Sequence, residues 1–131
     1  DYTKRLHFHV ERVLNEEPIG FTNMEAEMSF ILADEAAEFL YWAGINNIEG
    51  PINATANGKI SMKDLMELIE QKTGKHAQIS LLGTEGIRSP YAIPASWYMD
   101  NTQAVKIGFQ FSDLHSWLPK LVGDIIKIIK V

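Results

Sequence analysis

The stretch Tyr98-Met99-Asp100-Asn101-Thr102-Gln103-Ala104-Val105-Lys106-Ile107-Gly108-Phe109 decides how this chain is read. Asp100 has the side chain to cap a short helix. Ala104, Val105 and Ile107 give that helix an apolar side, and Gly108 stands where a helix needs a left-handed residue to stop. A last helical region is expected almost at once, opened by Ser112 and running toward Ile129, with Pro119 in the first turn of its main part. A capped short helix, a glycine stop and an amphipathic tail are thus expected in succession within the last third of the chain.

Working outward, Tyr2 to Glu16 is predicted as a helix, because Leu6, His9, Val10 and Val13 recur at helical spacing between charged residues. Pro18 ends it, and Ile19-Gly20-Phe21 follows as a short extended piece. Thr22 to Glu27 reads as a polar loop. Met28 to Leu32 reads as a buried strand or an extended entry into a helix over Asp34–Trp42 that Gly44 closes. Gly50 to Thr55 reads as a strand, with Asn57-Gly58 as a turn. Ser61 and Asp64 form a near capping box that opens a helix carrying Leu65, Met66, Leu68 and Ile69 and ending at Gly74. Ala77 to Leu82 is a further strand. Gly83 to Ala95 is a long irregular loop of a length often tied to function. Helices alternating with few short strands indicate an α/β class, or an α+β-like fragment of one. The core is expected around Leu65, Leu68, Ile69, Ile31, Phe39, Leu40, Trp117, Leu121 and Ile125.

The 131 residues suffice for one domain with a real core, and the whole chain, residues 1–131, is read as one. A net charge of −5 without a basic stripe argues against nucleic acid, because phosphate neutralisation needs clustered Lys and Arg. Lys120, Lys127 and Lys130 are spaced as a solvated helix face. Zero cysteines remove disulfide scaffolds and thiolate metal sites and fit a reducing, cytoplasmic setting. No apolar run approaches the roughly 20 residues that span a membrane, and no signal-peptide pattern is present. The start at Asp1 is what a fragment of a longer protein would show.

Three blocks, in order, resemble the C-terminal part of extended short-chain dehydrogenase/reductases, the NAD-dependent epimerase/dehydratase family that acts on sugar nucleotides. Ser29-Phe30-Ile31-Leu32-Ala33-Asp34-Glu35-Ala36-Ala37 is similar to the family segment that enters a helix through Phe-Ile and paired acids. Gly50-Pro51-Ile52-Asn53-Ala54-Thr55-Ala56-Asn57-Gly58, followed by Ile60-Ser61, is similar to its strand, small-residue turn and Ser-capped helix. The third block is the 98–109 stretch with its tail. The resemblance implies the substrate-binding side of such an enzyme. The glycine-rich phosphate loop is absent from the chain, and so is the Tyr-x-x-x-Lys pair, since no Tyr here has Lys four residues later. NAD or NADP is therefore implied for the parent enzyme and no cofactor for this chain, which is expected to be inactive alone and to partner a missing Rossmann half.

The resemblance also implies the site. Met28 stands where the family has an Arg that meets the nucleotide-sugar phosphates, and Arg88, in the long loop, falls roughly where the family has a second phosphate-contacting Arg. The family's acidic residue three positions on is Tyr91 here. Ser29, Phe30, Arg88 and Tyr91 are the candidate substrate residues, with Trp97-Tyr98 a further aromatic pair. Each has a plainer reading: Arg88 as a solvated loop cation, Phe30 and Trp97 as packing aromatics. His7 and His9 lack a third ligand at useful spacing, so no metal site is expected. Asp34 and Glu35 read as helix N-terminus charges, and Ser61 and Ser112 as caps rather than nucleophiles. A second reading stays open, a non-enzymatic interaction domain that reuses this fold and meets a protein partner through its apolar surface.

Overall fold

The computed structural model describes residues 3–81 and 87–131. Helix α1 spans Arg5–Leu14, and its face of Leu6, His9, Val10 and Val13 is buried as the 3.6-residue spacing requires. Strand β1 (Pro18–Gly20) follows. Strand β2 (Glu27–Met28) leads into α2 (Ala33–Ile45), and β3 (Ile60–Ser61) leads directly into α3 (Met62–Thr73). Then come β4 (Gln78–Ser80), α4 (Thr102–Lys106) and α5 (Leu114–Lys130). β1 pairs in parallel with β4, and β2 pairs antiparallel with β3. The class is mixed helix and short strand, as expected. Leu82 to Gly86, which include the end of the expected Ala77–Leu82 strand and the start of the Gly83–Ala95 loop, lie outside the described residues.

Helix α3 follows its capping residues. Ser61 Oγ accepts from the Asp64 N–H at 3.1 Å, and Gly74 takes φ +70 as the left-handed stop, which a side chain would oppose. Its buried face of Met62, Leu65, Met66 and Ile69 joins α1 and α5 in the main core, together with Ile19, Phe21 and Ile60. A second cluster collects Phe39 of α2, Ala104 of α4 and Phe111, with Ile31, Trp42, Ile52, Ala54 and Phe109 packed against it. The short α4 thus contributes to packing through one fully buried alanine.

Several expectations are corrected. Gly50 to Thr55 is not a strand. Among the described residues no strand lies beside it, and the backbone pairs further on, where the Ala56 N–H meets Phe30 O and the Asn57 N–H meets Ser112 O, each at 2.9 Å. Gly44 does not close α2, which continues to Ile45 and ends where Asn47 turns left-handed at φ 52. Pro119 sits inside α5 rather than in its first turn. The one hydrogen bond it withholds falls on the carbonyl of the exposed His115, where water can replace it. The residue at the α5 cap is Asp113, not Ser112, whose hydroxyl is buried without a partner. Val105 and Ile107 are exposed, because a helix of barely more than one turn can bury only one position here.

Leu40 is the main error in the expected core. It is 71% exposed, as is Tyr41, and Ile45 is 61% exposed. With Ala37 and Gly44 they form an outward apolar stripe on α2, while Phe39 alone of that helix is fully inside. On α5 the buried face is Leu114, Leu118, Val122, Ile125 and Ile126, and the expected Trp117 and Leu121 are only half-buried beside it. Leu40→Ser is therefore expected to change the stability of this chain by less than about 0.5 kcal/mol. Denaturant melts check this, and a loss above about 2 kcal/mol would return the outer face of α2 to the core.

Candidate functional site

The candidate residues come from two segments, 28–30 and 87–91, both held against the strands. Gly20 of β1 donates its N–H to Ile87 O at 2.7 Å, and the Ser89 N–H returns to Gly20 O at 2.8 Å. This brackets Arg88 between two backbone bonds, with Gly20 and Arg88 bridged in parallel. The two backbones pack closely here, and a Cβ on Gly20 would sit in ordinary contact, 3.5 Å from the Arg88 Cα. The Arg88 side chain is exposed, and no described carboxylate pairs with it.

Tyr91 lies on the inner side of the same loop. It is buried, its ring stacks on His9 at 4.7 Å and meets Phe30 edge-on at 5.4 Å. Burial pushes its phenol up to about 12, with Arg5 acting weakly against the shift. The Phe30–Tyr91 contact is what joins the two segments. The half-buried Phe30 also packs on the main core, and its carbonyl accepts from Ala56 N–H and, at 3.2 Å, from Thr55 Oγ1–H. The Ser29 hydroxyl accepts the Met99 N–H at 2.9 Å and so ties the 97–101 stretch to the strand. Trp97 donates its N–H to Glu27 O at 2.9 Å but leaves its ring 63% exposed, which excludes core packing for it. Lys59 stands 4.1 Å over the ring of Tyr98 and 3.2 Å from Glu27, and these two neighbours raise its pKa, Tyr98 more strongly.

His9 is a core residue with both ring nitrogens engaged, Nδ1 with Arg5 O at 2.7 Å and Nε2 with Ser89 Oγ at 2.6 Å. Burial lowers its pKa to about 4, against the opposing effect of the Arg5 carbonyl. The sequence carries no sign of this pairing, since the two residues lie 80 positions apart. Among the described residues no group of His, Asp and Glu could hold a metal ion. Arg5 and Arg12 belong to α1, and Arg12 is committed to Pro18 O at 2.8 Å and Glu17 at 3.7 Å.

A polar cleft of about 460 Å³ lies elsewhere, between residues 51–53 and α4, lined by Pro51, Asn53, Asp100, Thr102, Gln103 and Lys106. All six are exposed, and Asp100 spends its carboxylate on the Thr102 N–H at 2.6 Å; hydrogen bonds from the Thr102 side chain and then its N–H hold the Asp100 pKa below the usual range. Water can satisfy every polar group in this cleft, so it offers weaker grounds for a ligand than the Arg88 loop. Asp100 caps α4 from one residue outside the N-cap, Asn101, whose own amide reaches Thr55 O and Asn57 Oδ1. Glu35 does more than stabilise the α2 N-terminus, because both its oxygens also accept the Ser112 N–H.

No protein-family model matches the chain, and no curated protein does. Solved structures share its fold. UDP-glucose 4-epimerase of Thermotoga maritima, solved with UDP-glucose, superposes with a TM-score of 0.63 at 17% identity over 94% of this chain and 39% of that one. UDP-glucuronic acid 4-epimerase of Bacillus cereus, in complex with NAD, gives 0.63 at 17% over 98% and 41%. GDP-mannoheptose C4 reductase of Campylobacter jejuni, with NADP bound, gives 0.61 at 13% over 98% and 44%. The chain thus spans about two-fifths of the length of the solved structures it matches. Its fold is that of part of the sugar-nucleotide epimerases and reductases. Among the described residues no helix is long and apolar enough to cross a membrane.

Proposed function

We propose that residues 1–131 form the C-terminal, substrate-binding domain of an NAD(P)-dependent sugar-nucleotide epimerase, dehydratase or reductase that works in the cytoplasm. The observation that carries this reading is the backbone match over nearly the whole chain to enzymes of that kind, two of them holding NAD or NADP and one UDP-glucose. The apolar stripe of Leu40, Tyr41 and Ile45 supports it, because a Rossmann half seated on α2 would remove this surface from water. A non-enzymatic interaction domain would use the same stripe for another protein. Coding sequence upstream decides between them: a glycine-rich βαβ unit and a Tyr-x-x-x-Lys pair support the enzyme, and their absence supports the interaction domain.

In this reading Arg88 contacts the substrate diphosphate. It is an exposed guanidinium on a backbone fixed at both sides, free of any described carboxylate. Phe30 and Tyr91 back the loop, and Ser29 orders the neighbouring 97–101 stretch. The hydride and proton transfers would belong to the cofactor-bearing half. Arg88→Ala in the intact enzyme is therefore expected to weaken substrate binding by about 10- to 150-fold, the loss of a charge-assisted hydrogen bond, with turnover at saturation changing less. Arg88→Lys should recover only part, since an ammonium lacks the bidentate fork. Substrate titration of the three proteins tests this, and unchanged affinity in the Ala variant would leave Arg88 to solvent.

A further inference from the structure

His9 and Ser89 form a buried polar pair that the proposed chemistry does not use. His9 is 0% and Ser89 3% exposed, so neither meets a substrate directly, and a nucleophilic Ser89 is excluded by its burial. The hydrogen bonds run in one sense. The Arg5 carbonyl can only accept, so Nδ1 of His9 carries the proton and Nε2 is left to accept from Ser89 Oγ–H. Ser89 Oγ in turn accepts the Tyr91 N–H at 2.9 Å. The imidazole is clamped between Tyr91 and Phe21, its ring 10° from parallel with the first and 28° with the second. A helix residue thereby grips the loop from inside, one residue after Arg88.

We propose that His9 is the positioning residue of Arg88: through Ser89 it fixes the 87–91 loop so that the guanidinium projects from a rigid base. This rests on the reading of Arg88 as a phosphate contact, and it extends that reading to a residue on another element. Two bonds to Gly20 restrain the backbone around Arg88, and both come from one strand residue. The Ser89–His9 bond adds a restraint from α1, on the side-chain face of the loop. An ordered cation loses less entropy on binding than one on a mobile loop, which is how a buried hydrogen bond reaches an exposed ligand.

Two variants of the 131-residue chain separate the acceptor from the packing. His9→Phe keeps an aromatic ring against Tyr91 and Phe21 and removes the acceptor. His9→Gln keeps an acceptor oxygen near the Nε2 position and removes the ring. Amide exchange at Ser89 and Tyr91 is measured relative to Ile69 in α3, so that a uniform loss of stability cancels. The ratio is expected to rise about tenfold in His9→Phe and to return toward wild type in His9→Gln, whatever their melting temperatures. Titration with inorganic pyrophosphate is expected to show weakening by Arg88→Ala and a smaller weakening by His9→Phe. An unchanged exchange ratio in His9→Phe overturns the proposal. So does wild-type pyrophosphate affinity in His9→Phe where Arg88→Ala has lost it. If Arg88→Ala leaves pyrophosphate binding intact, the phosphate reading of Arg88 falls, and the role of His9 is decided by the exchange ratio alone.

Discussion

Leu65→Ala is expected to lower the unfolding free energy by about 2–5 kcal/mol. Leu65 is fully buried on the inner face of α3, in the cluster it shares with residues of α1 and α5. Truncation there removes apolar contact from three helices at once, and helices packed on several sides relax only partly into the void. Leu68, on the same helix, is half-buried at the margin of that cluster, so Leu68→Ala should cost less, under about 2 kcal/mol. Parallel denaturant melts distinguish the two. Equal losses would place both on one packed face, and a loss below about 0.5 kcal/mol at Leu65 would show that the main core is not built as described.

Acidification is expected to have an effect of similar size through His9. Its pKa falls from the ordinary 6.5 to about 4 in the folded protein, mainly because burial opposes the charged imidazolium. The unfolded chain then takes up the proton first. The stabilising contribution is whole above about pH 6.5 and is lost as pH falls through about 4, to a total on the order of 3 kcal/mol. Protonation would also leave Nε2 as a donor facing Ser89 Oγ, which already receives the Tyr91 N–H. Asp100 and Asp124, whose pKa values are lowered by hydrogen bonds from Thr102 and Lys120, act in the same direction, but Asp100 is exposed and Asp124 lies at the surface, so solvent screens both. The informative comparison is thus between wild type and His9→Phe, by urea melts from about pH 7.5 to about pH 4. The stability difference between the two proteins should shift toward the variant as pH drops, and a constant difference would mean that His9 does not titrate with unfolding.

The α3 region was legible because its signals are local. Ser61 bonds within three residues, Gly74 supplies its own left-handed geometry, and the apolar spacing of Leu65, Met66 and Ile69 needs no distant partner to be seen. The Arg88 loop was legible only as a Gly/Pro-rich stretch holding a cation. Its attachment to Gly20, to His9 and, through Tyr91, to Phe30 joins residues about 60 to 80 positions apart, which no periodicity reports. Gly50 to Thr55 failed for a related reason. An extended apolar stretch becomes a strand only when another backbone lies alongside it.

What the sequence determined by itself was where α1, α3 and α5 lie, that strands would be few and short, and that one arginine, Arg88, stands outside the helices while Arg5 and Arg12 belong to α1. Helix periodicity, capping and glycine stops act over four residues or fewer, and the chain carries them wherever it goes. Tertiary structure decided which apolar stripe is inside. On α5 two neighbouring stripes compete, and contact with α1 and α3 selects Leu114, Leu118, Val122 and Ile125. On α2 Phe39 is taken inward by Phe111 and Ala104, while Leu40, Tyr41 and Ile45 stay in water. It also decided that His9 faces Ser89 rather than a solvent or a metal, because the burial of a polar group is permitted only where folding brings it a partner.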